Sequence, residues 1–169
     1  TPLKGTIRVS GSKNEALPIL AACILVSGTV TLSNMPDISD VHAMGDLLES
    51  LGARIIRNGS VWEVDCSSVE DKEPDFTMAG TFRASLLLIG PMLARFGHIT
   101  IAHPGGCSIG SRRLDTHFNA LKTFGAHVED DGTRYHISVD YTPKNRRVVL
   151  EEISVTATEN LIMFMVGTE

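Results

Sequence analysis

This chain of 169 residues is poor in aromatics, in cysteine and in unbroken apolar sequence, and it lacks any excess of positive charge. The longest apolar stretch, residues 16–26, is interrupted by Pro18. It reaches about half of the roughly 20 residues a membrane helix needs, so no helical span is expected. The first residues carry no basic flank, long apolar segment and small-residue cleavage site, so no secretory signal is read and a cytoplasmic location is expected. Cys23, Cys66 and Cys107 are odd in number and never form a C-x-x-C pair, which argues against a disulfide framework or a zinc knuckle. The histidines show no H-x-x-x-H or H-E-x-x-H spacing, so no metal site is expected. A formal net charge of −5 argues against nucleic acid as a partner. It leaves room for a small anionic substrate, because a few local cations in a cleft outweigh distant, screened charge.

What is present is enough apolar sequence, 43%, to bury a core, and a pattern that repeats. Leu51-Gly52-Ala53, Asn58-Gly59 and Trp62-Glu63-Val64-Asp65 recur as Phe124-Gly125-Ala126, Asp131-Gly132 and His136-Ile137-Ser138-Val139-Asp140, with the glycines at equal separations. Upstream, Gly28-Thr29-Val30-Thr31-Leu32 matches Gly97-His98-Ile99-Thr100-Ile101, and a third copy begins near Thr158. The expected units cover about 5–70, 71–145 and a partial 146–169, joined near residues 67–75, as subdomains of one domain.

Each unit reads as helix, strand, helix, hairpin. In the first, the helices are 15–25 and 41–51, with Met44, Leu47, Leu48 and Leu51 on one face of the second. Gly52 falls where a left-handed helix end belongs. The strand is 30–32, and the hairpin pairs 54–57 with 61–65 around Asn58-Gly59. In the second unit the helices are 83–95 and 111–124, the strand 98–101, and the hairpin pairs 127–130 with 135–139. The fold class is α/β, with helices packed beneath mixed sheets.

Three places could carry chemistry. His103-Pro104-Gly105-Gly106-Cys107-Ser108-Ile109-Gly110 sets a thiol between a strand and a helix, near Arg112 and Arg113, which favour its thiolate. Residue type and spacing leave Cys107 open between a reactive acid and a small buried apolar side chain. Cys23 and Cys66 read as buried. Ser111 is placed to cap the helix from Arg112, and two arginines in a first turn oppose the helix dipole unless an anion joins them. Ser10-Gly11-Ser12-Lys13-Asn14-Glu15 and Gly80-Thr81-Phe82-Arg83 stand at equivalent points of the two units, each a turn delivering a cation into a helix. The first lacks the full phosphate-loop pattern. Trp62 reads as packing, and Lys144-Asn145-Arg146-Arg147 as a solvated loop.

Taken together, these segments resemble the enolpyruvyl transferase family over nearly the whole chain. The likeness rests on residues 9–20, on Arg83-Ala84-Ser85, on Pro104 to Gly110 with Arg112 and Asp115, and on Ser154-Val155-Thr156-Ala157-Thr158-Glu159-Asn160. It implies an inside-out α/β barrel of two globular domains, of which this chain would hold part of one. It implies transfer of enolpyruvyl from phosphoenolpyruvate to the 3-hydroxyl of UDP-N-acetylglucosamine with release of phosphate, the first committed step of peptidoglycan synthesis, without a cofactor. Cys107 would be the proton donor and the residue alkylated by fosfomycin. Lys13, Arg83 and Arg112 would bind phosphate and carboxylate. Asn14, Arg112, Arg113, Leu114, Asp115, Thr116, Ser154 and Val155 would hold the sugar nucleotide. Gly80, Arg113 and Glu152 depart from residues common in relatives. A second domain would supply a catalytic aspartate and further arginines, so the isolated chain is expected to turn over little or not at all. The family's shikimate-3-phosphate branch and a non-catalytic sugar-nucleotide-binding paralogue remain as alternatives.

Overall fold

The computed structural model describes residues 2–80, 83–103, 114–140 and 147–168. Helix α1 (Lys13–Ala22) buries Ala16, Leu17, Leu20 and Ala21 and runs on into a 3-10 turn, Cys23–Leu25. Strand β1 (Thr29–Leu32), helix α2 (Ser39–Ser50) and the hairpin β2 (Arg54–Asn58) and β3 (Val61–Asp65) follow. Met44, Leu47, Leu48 and Leu51 are all fully buried, as their spacing predicts. Gly52 has φ 107°, the left-handed conformation that only glycine takes without strain.

After a short helix α3 (Phe76–Ala79), in a stretch to which the sequence reading assigns no element, the pattern returns with a change. The helix expected over 83–95 is a 3-10 stretch, Arg83–Leu88, followed by α4 (Ile89–Phe96). Pro91 accounts for the break: it has no N–H for the Leu87 carbonyl and is tolerated in the first turn of a helix, not in its interior. Strand β4 (His98–Ala102), helix α5 (Asp115–Thr123) and the hairpin β5 (Ala126–Asp130) and β6 (Arg134–Val139) complete the second round, and α6 (Val155–Gly167) ends the described chain. Helix α5 starts at Asp115, with Leu114 at its N-cap, later than expected. Ser111, the expected cap, lies outside the described residues.

The two sheets have the same order, β1-β3-β2 and β4-β6-β5, and every pairing is antiparallel. Mixed sheets had been expected. Strands β1 and β2 do run parallel across α2, but the returning hairpin strand β3 inserts between them, so no parallel pair forms. One face of each sheet, through Trp62 and Val64 or Ile99, Ile101 and Ile137, packs onto the helices.

Two contacts join the repeats. The Arg95 guanidinium donates to the carbonyls of Ile24, Cys66, Ser67 and Val69, tying α4 to the end of the first unit. Helices α4 and α6 cross at Gly90, where a Cβ would run into the Asn160 carbonyl oxygen. No helix among the described residues is long and apolar enough to cross a membrane.

Candidate active site

A cleft of about 1100 Å³ lies where α1, α2, α5 and α6 point their N-termini together. Lys13 and Asn14 open α1, Asp40 sits in the first turn of α2, Asp115 to His117 open α5, and Ser154 to Thr156 open α6. Arg83, the first residue of the 3-10 stretch, completes the wall. Each helix start carries roughly half a positive charge in its unpaired N–H groups, so four of them aimed at one volume favour an anion there. Side-chain caps are few: Ser154 accepts from the Ala157 N–H, but α1, α2 and α5 have no capping side chain. Pro18 lines the same wall and, having no N–H, cannot donate to the Asn14 carbonyl one turn before it.

Three acidic side chains of the cleft, Asp40, Glu151 and Glu152, are engaged by neighbours. Lys13 Nζ donates to Asp40 Oδ2 at 2.9 Å. Thr116 Oγ1 donates to Glu152 at 3.1 Å, and Asn119 Nδ2 to Glu151 at 2.9 Å. These two bonds and the 3.0 Å contact between His117 Nε2 and Thr156 Oγ1 hold residues 151–156 against the first turns of α5. Glu159 is pushed up from the usual carboxylate range by burial.

His117 is the unusual group. It is 3% exposed, and its Nδ1 has no hydrogen-bond partner among the described residues. Burial, aided by the charge of Arg83 and opposed by Glu152, pulls its pKa down to about 4. At neutral pH it is an uncharged imidazole in the wall of a cleft that attracts anions.

The structure thus brings together Lys13, Asn14, Arg83, Asp115, Thr116, Ser154 and Val155, contributed by four separate stretches of sequence. Leu114 is different: it is buried in the core and anchors the start of α5, without lining the cleft. Cys107, Arg112 and Arg113 lie outside the described residues. Glu152, one of the departures from relatives, lines the cleft, whereas Gly80 does not. Asp40, His117, Asn119, Glu151 and Thr156 were missed by the sequence reading. His117 directly follows Asp115-Thr116 and was within reach of a helix-face argument; Asp40 had no local signal.

The fold is that of the enolpyruvyl transferases. Solved structures share the fold: the enolpyruvyl transferase NikO from Streptomyces tendae aligns with a TM-score of 0.73 at 20% identity, covering 96% of this chain and 38% of that one. EPSP synthase from Acinetobacter baumannii aligns at 0.72 and 17% identity, covering 95% and 37%. The profile of the EPSP synthase (3-phosphoshikimate 1-carboxyvinyltransferase) family matches residues 1–169, and the chain belongs to that family. Among curated relatives, it is 45% identical over 169 residues to the UDP-N-acetylglucosamine 1-carboxyvinyltransferase of Wolbachia sp. subsp. Brugia malayi, and 44% over 163 residues to that of Coxiella burnetii. These alignments take in 96% of this chain but only 40% and 38% of the relatives' lengths.

Proposed function

We propose that this chain forms one lobe of a UDP-N-acetylglucosamine 1-carboxyvinyltransferase, acting in the cytoplasm at the first committed step of peptidoglycan synthesis and so serving cell shape and division. The observation that carries the reading is the convergence of Lys13 and Arg83 with four helix N-termini on a single cleft. Its support from relatives is the 40–45% identity to proteins of that name.

In this reading Lys13 and Arg83, with Arg112, hold the phosphate and carboxylate of phosphoenolpyruvate and stabilise the charge that builds on them. The sugar 3-hydroxyl gives its proton to the catalytic aspartate of the second domain and adds to the carbon bearing the phosphate, as Cys107 gives its proton to the methylene carbon, forming a tetrahedral adduct. Loss of phosphate and of a proton from the new methyl group then regenerates the double bond on the sugar. Asn14, Asp115, Thr116, Ser154 and Val155 hold the sugar nucleotide. Cys107 is also the residue fosfomycin would alkylate. A second domain, outside this chain, closes the cleft and supplies the remaining catalytic groups, so the chain alone binds weakly and turns over little.

Calorimetry with UDP-N-acetylglucosamine and with shikimate-3-phosphate tests the assignment. Heat from the sugar nucleotide, reduced by Lys13→Ala, is expected. Binding of shikimate-3-phosphate alone would transfer the chain to the other branch of the family. Binding of the sugar nucleotide by a form rejoined to its second domain that still has no activity would leave a non-catalytic binder.

A further inference from the structure

Lys13 already has an anion beside it. Its ammonium lies 2.9 Å from Asp40 Oδ2, with the two side chains 43% and 39% exposed. An exposed pair of this kind adds little to folding stability, so stability alone does not explain why a carboxylate stands in a cleft that collects positive helix ends. Asp40 comes from a different helix, 27 residues away in sequence, and lies in the first turn of α2, where the helix dipole favours its charge.

The spacing of the pair is built into the backbone. Gly11 and Asn34 meet so closely that a Cβ on Gly11 would run into the Asn34 carbonyl oxygen and come within 3.2 Å of Pro36 Cδ. Asn34 is the sole non-glycine residue with positive φ among the described residues, at 58°, a conformation asparagine tolerates better than most. The turn before α1 and the turn before α2 are therefore pressed together, which sets Lys13 opposite Asp40. Glu151 and Glu152, by contrast, accept from the neutral donors Asn119 and Thr116.

We propose that Asp40 is a specificity-determining residue: the resident counter-ion of Lys13, which an entering phosphoryl group displaces and which reclaims the ammonium when inorganic phosphate departs. The cleft then binds a lone phosphate poorly, and only a ligand with further contacts outcompetes the carboxylate. Product release is helped by the same exchange. The inference rests on the reading of the cleft as a phosphoenolpyruvate site.

The test measures dissociation constants for inorganic phosphate with the full chain, from the amide shifts of α1 and α2, in the wild type, Asp40→Asn, Asp40→Glu, Lys13→Met and the Asp40→Asn/Lys13→Met pair. Removing one charge at about 4 Å in a water-exposed setting is expected to tighten phosphate binding about five-fold in Asp40→Asn. Asp40→Glu restores the wild-type constant, and the gain disappears once Lys13 is methionine. A merely structural Asp40 would give no Lys13-dependent gain. Unchanged, weaker or undetectable phosphate binding in Asp40→Asn, or a gain that survives Lys13→Met, overturns the proposal. If UDP-N-acetylglucosamine binds in calorimetry while phosphate affinity ignores Asp40, the functional reading stands and the counter-ion exchange fails. If the Lys13-dependent gain is seen but the sugar nucleotide never binds, the exchange stands and the substrate assignment fails.

Discussion

Asn160 ties Gly90 to Leu86 through both ends of its side-chain amide: its Oδ1 accepts the Gly90 N–H at 2.7 Å, while its Nδ2 donates to the Leu86 carbonyl at 3.0 Å. The side chain is 1% exposed and also reaches the Thr156 carbonyl, at 3.2 Å. One amide thus satisfies both the 3-10 stretch that carries Arg83 and the N-terminus of α4, where helical hydrogen bonding changes register. Asn160→Leu leaves a buried N–H and a buried carbonyl without partners, each costing about 1–3 kcal/mol. The expected loss is about 2–6 kcal/mol by urea denaturation. A change within about 0.5 kcal/mol, the usual range for an inert surface substitution, would contradict this account.

Arg95 presents the complementary case, a cation serving four carbonyls. Its Nη1 donates to Ile24 and Cys66 at 3.0 and 2.7 Å, its Nη2 to Ser67 and Val69 at 3.1 and 3.3 Å. Arg95→Met should destabilise by about 2–4 kcal/mol, since charge-assisted bonds are the stronger class. Arg95→Lys should recover less than half of that, because a single ammonium cannot span the planar fork. Full recovery by lysine would show that charge, and not the fork, does the joining.

His117 makes stability depend on pH in a defined direction. Its folded pKa, about 4, lies below its ordinary value of 6.5. As pH falls through about 6.5 the unfolded chain takes up a proton that the folded chain resists, so stability is present above that pH and is lost toward pH 4. The full effect is up to about 3 kcal/mol. Urea midpoints at pH 7 and pH 4.5 should therefore converge more in His117→Gln than in the wild type. The His117 imidazole should show no titration by NMR above pH 5.5; a midpoint near 6.5 would refute the buried neutral ring.

The thiols should separate by burial. Cys23 and Cys66 are buried and their pKa values are pushed up to about 11 and about 12, chiefly by desolvation. Neither should react with a disulfide reagent at pH 8 while the chain is folded, because the thiolate is the attacking species. Fast labelling in the native chain is expected at Cys107 alone and should vanish in Cys107→Ser. Labelling of Cys23 or Cys66 on the same timescale would mean that the first unit opens far more readily than its packing implies.

Much of this architecture was legible before any coordinates. Met44, Leu47, Leu48 and Leu51 announce a helix because buried apolar side chains must recur with the helix period. Asn58-Gly59 announces a hairpin because the turn needs positive φ. The two equivalent turns offered Lys13 and Arg83, the resemblance added Asp115 and Ser154, and all four line the cleft. The break between the 3-10 stretch Arg83–Leu88 and α4 had a local signal in Pro91, whereas the Asn160 amide that bonds to Leu86 and Gly90 lies 70 or more residues away and had none. Leu114 came with the run Arg112 to Thr116 that the resemblance implied; its side chain is buried in the core, because successive side chains at a helix start point in different directions.

Local sequence alone determined the helix, strand and hairpin elements, the glycines that end and turn them, and the small set of cations suited to an anionic ligand. Those features depend on backbone conformation and on periodic burial within a few residues. Tertiary structure alone decided that four helix N-termini meet at one volume, that Asp40 stands against Lys13, and that His117 is held neutral beside Arg83. Charge and desolvation act through space, so groups distant in the chain acquire their chemistry only when packing sets them a few ångströms apart.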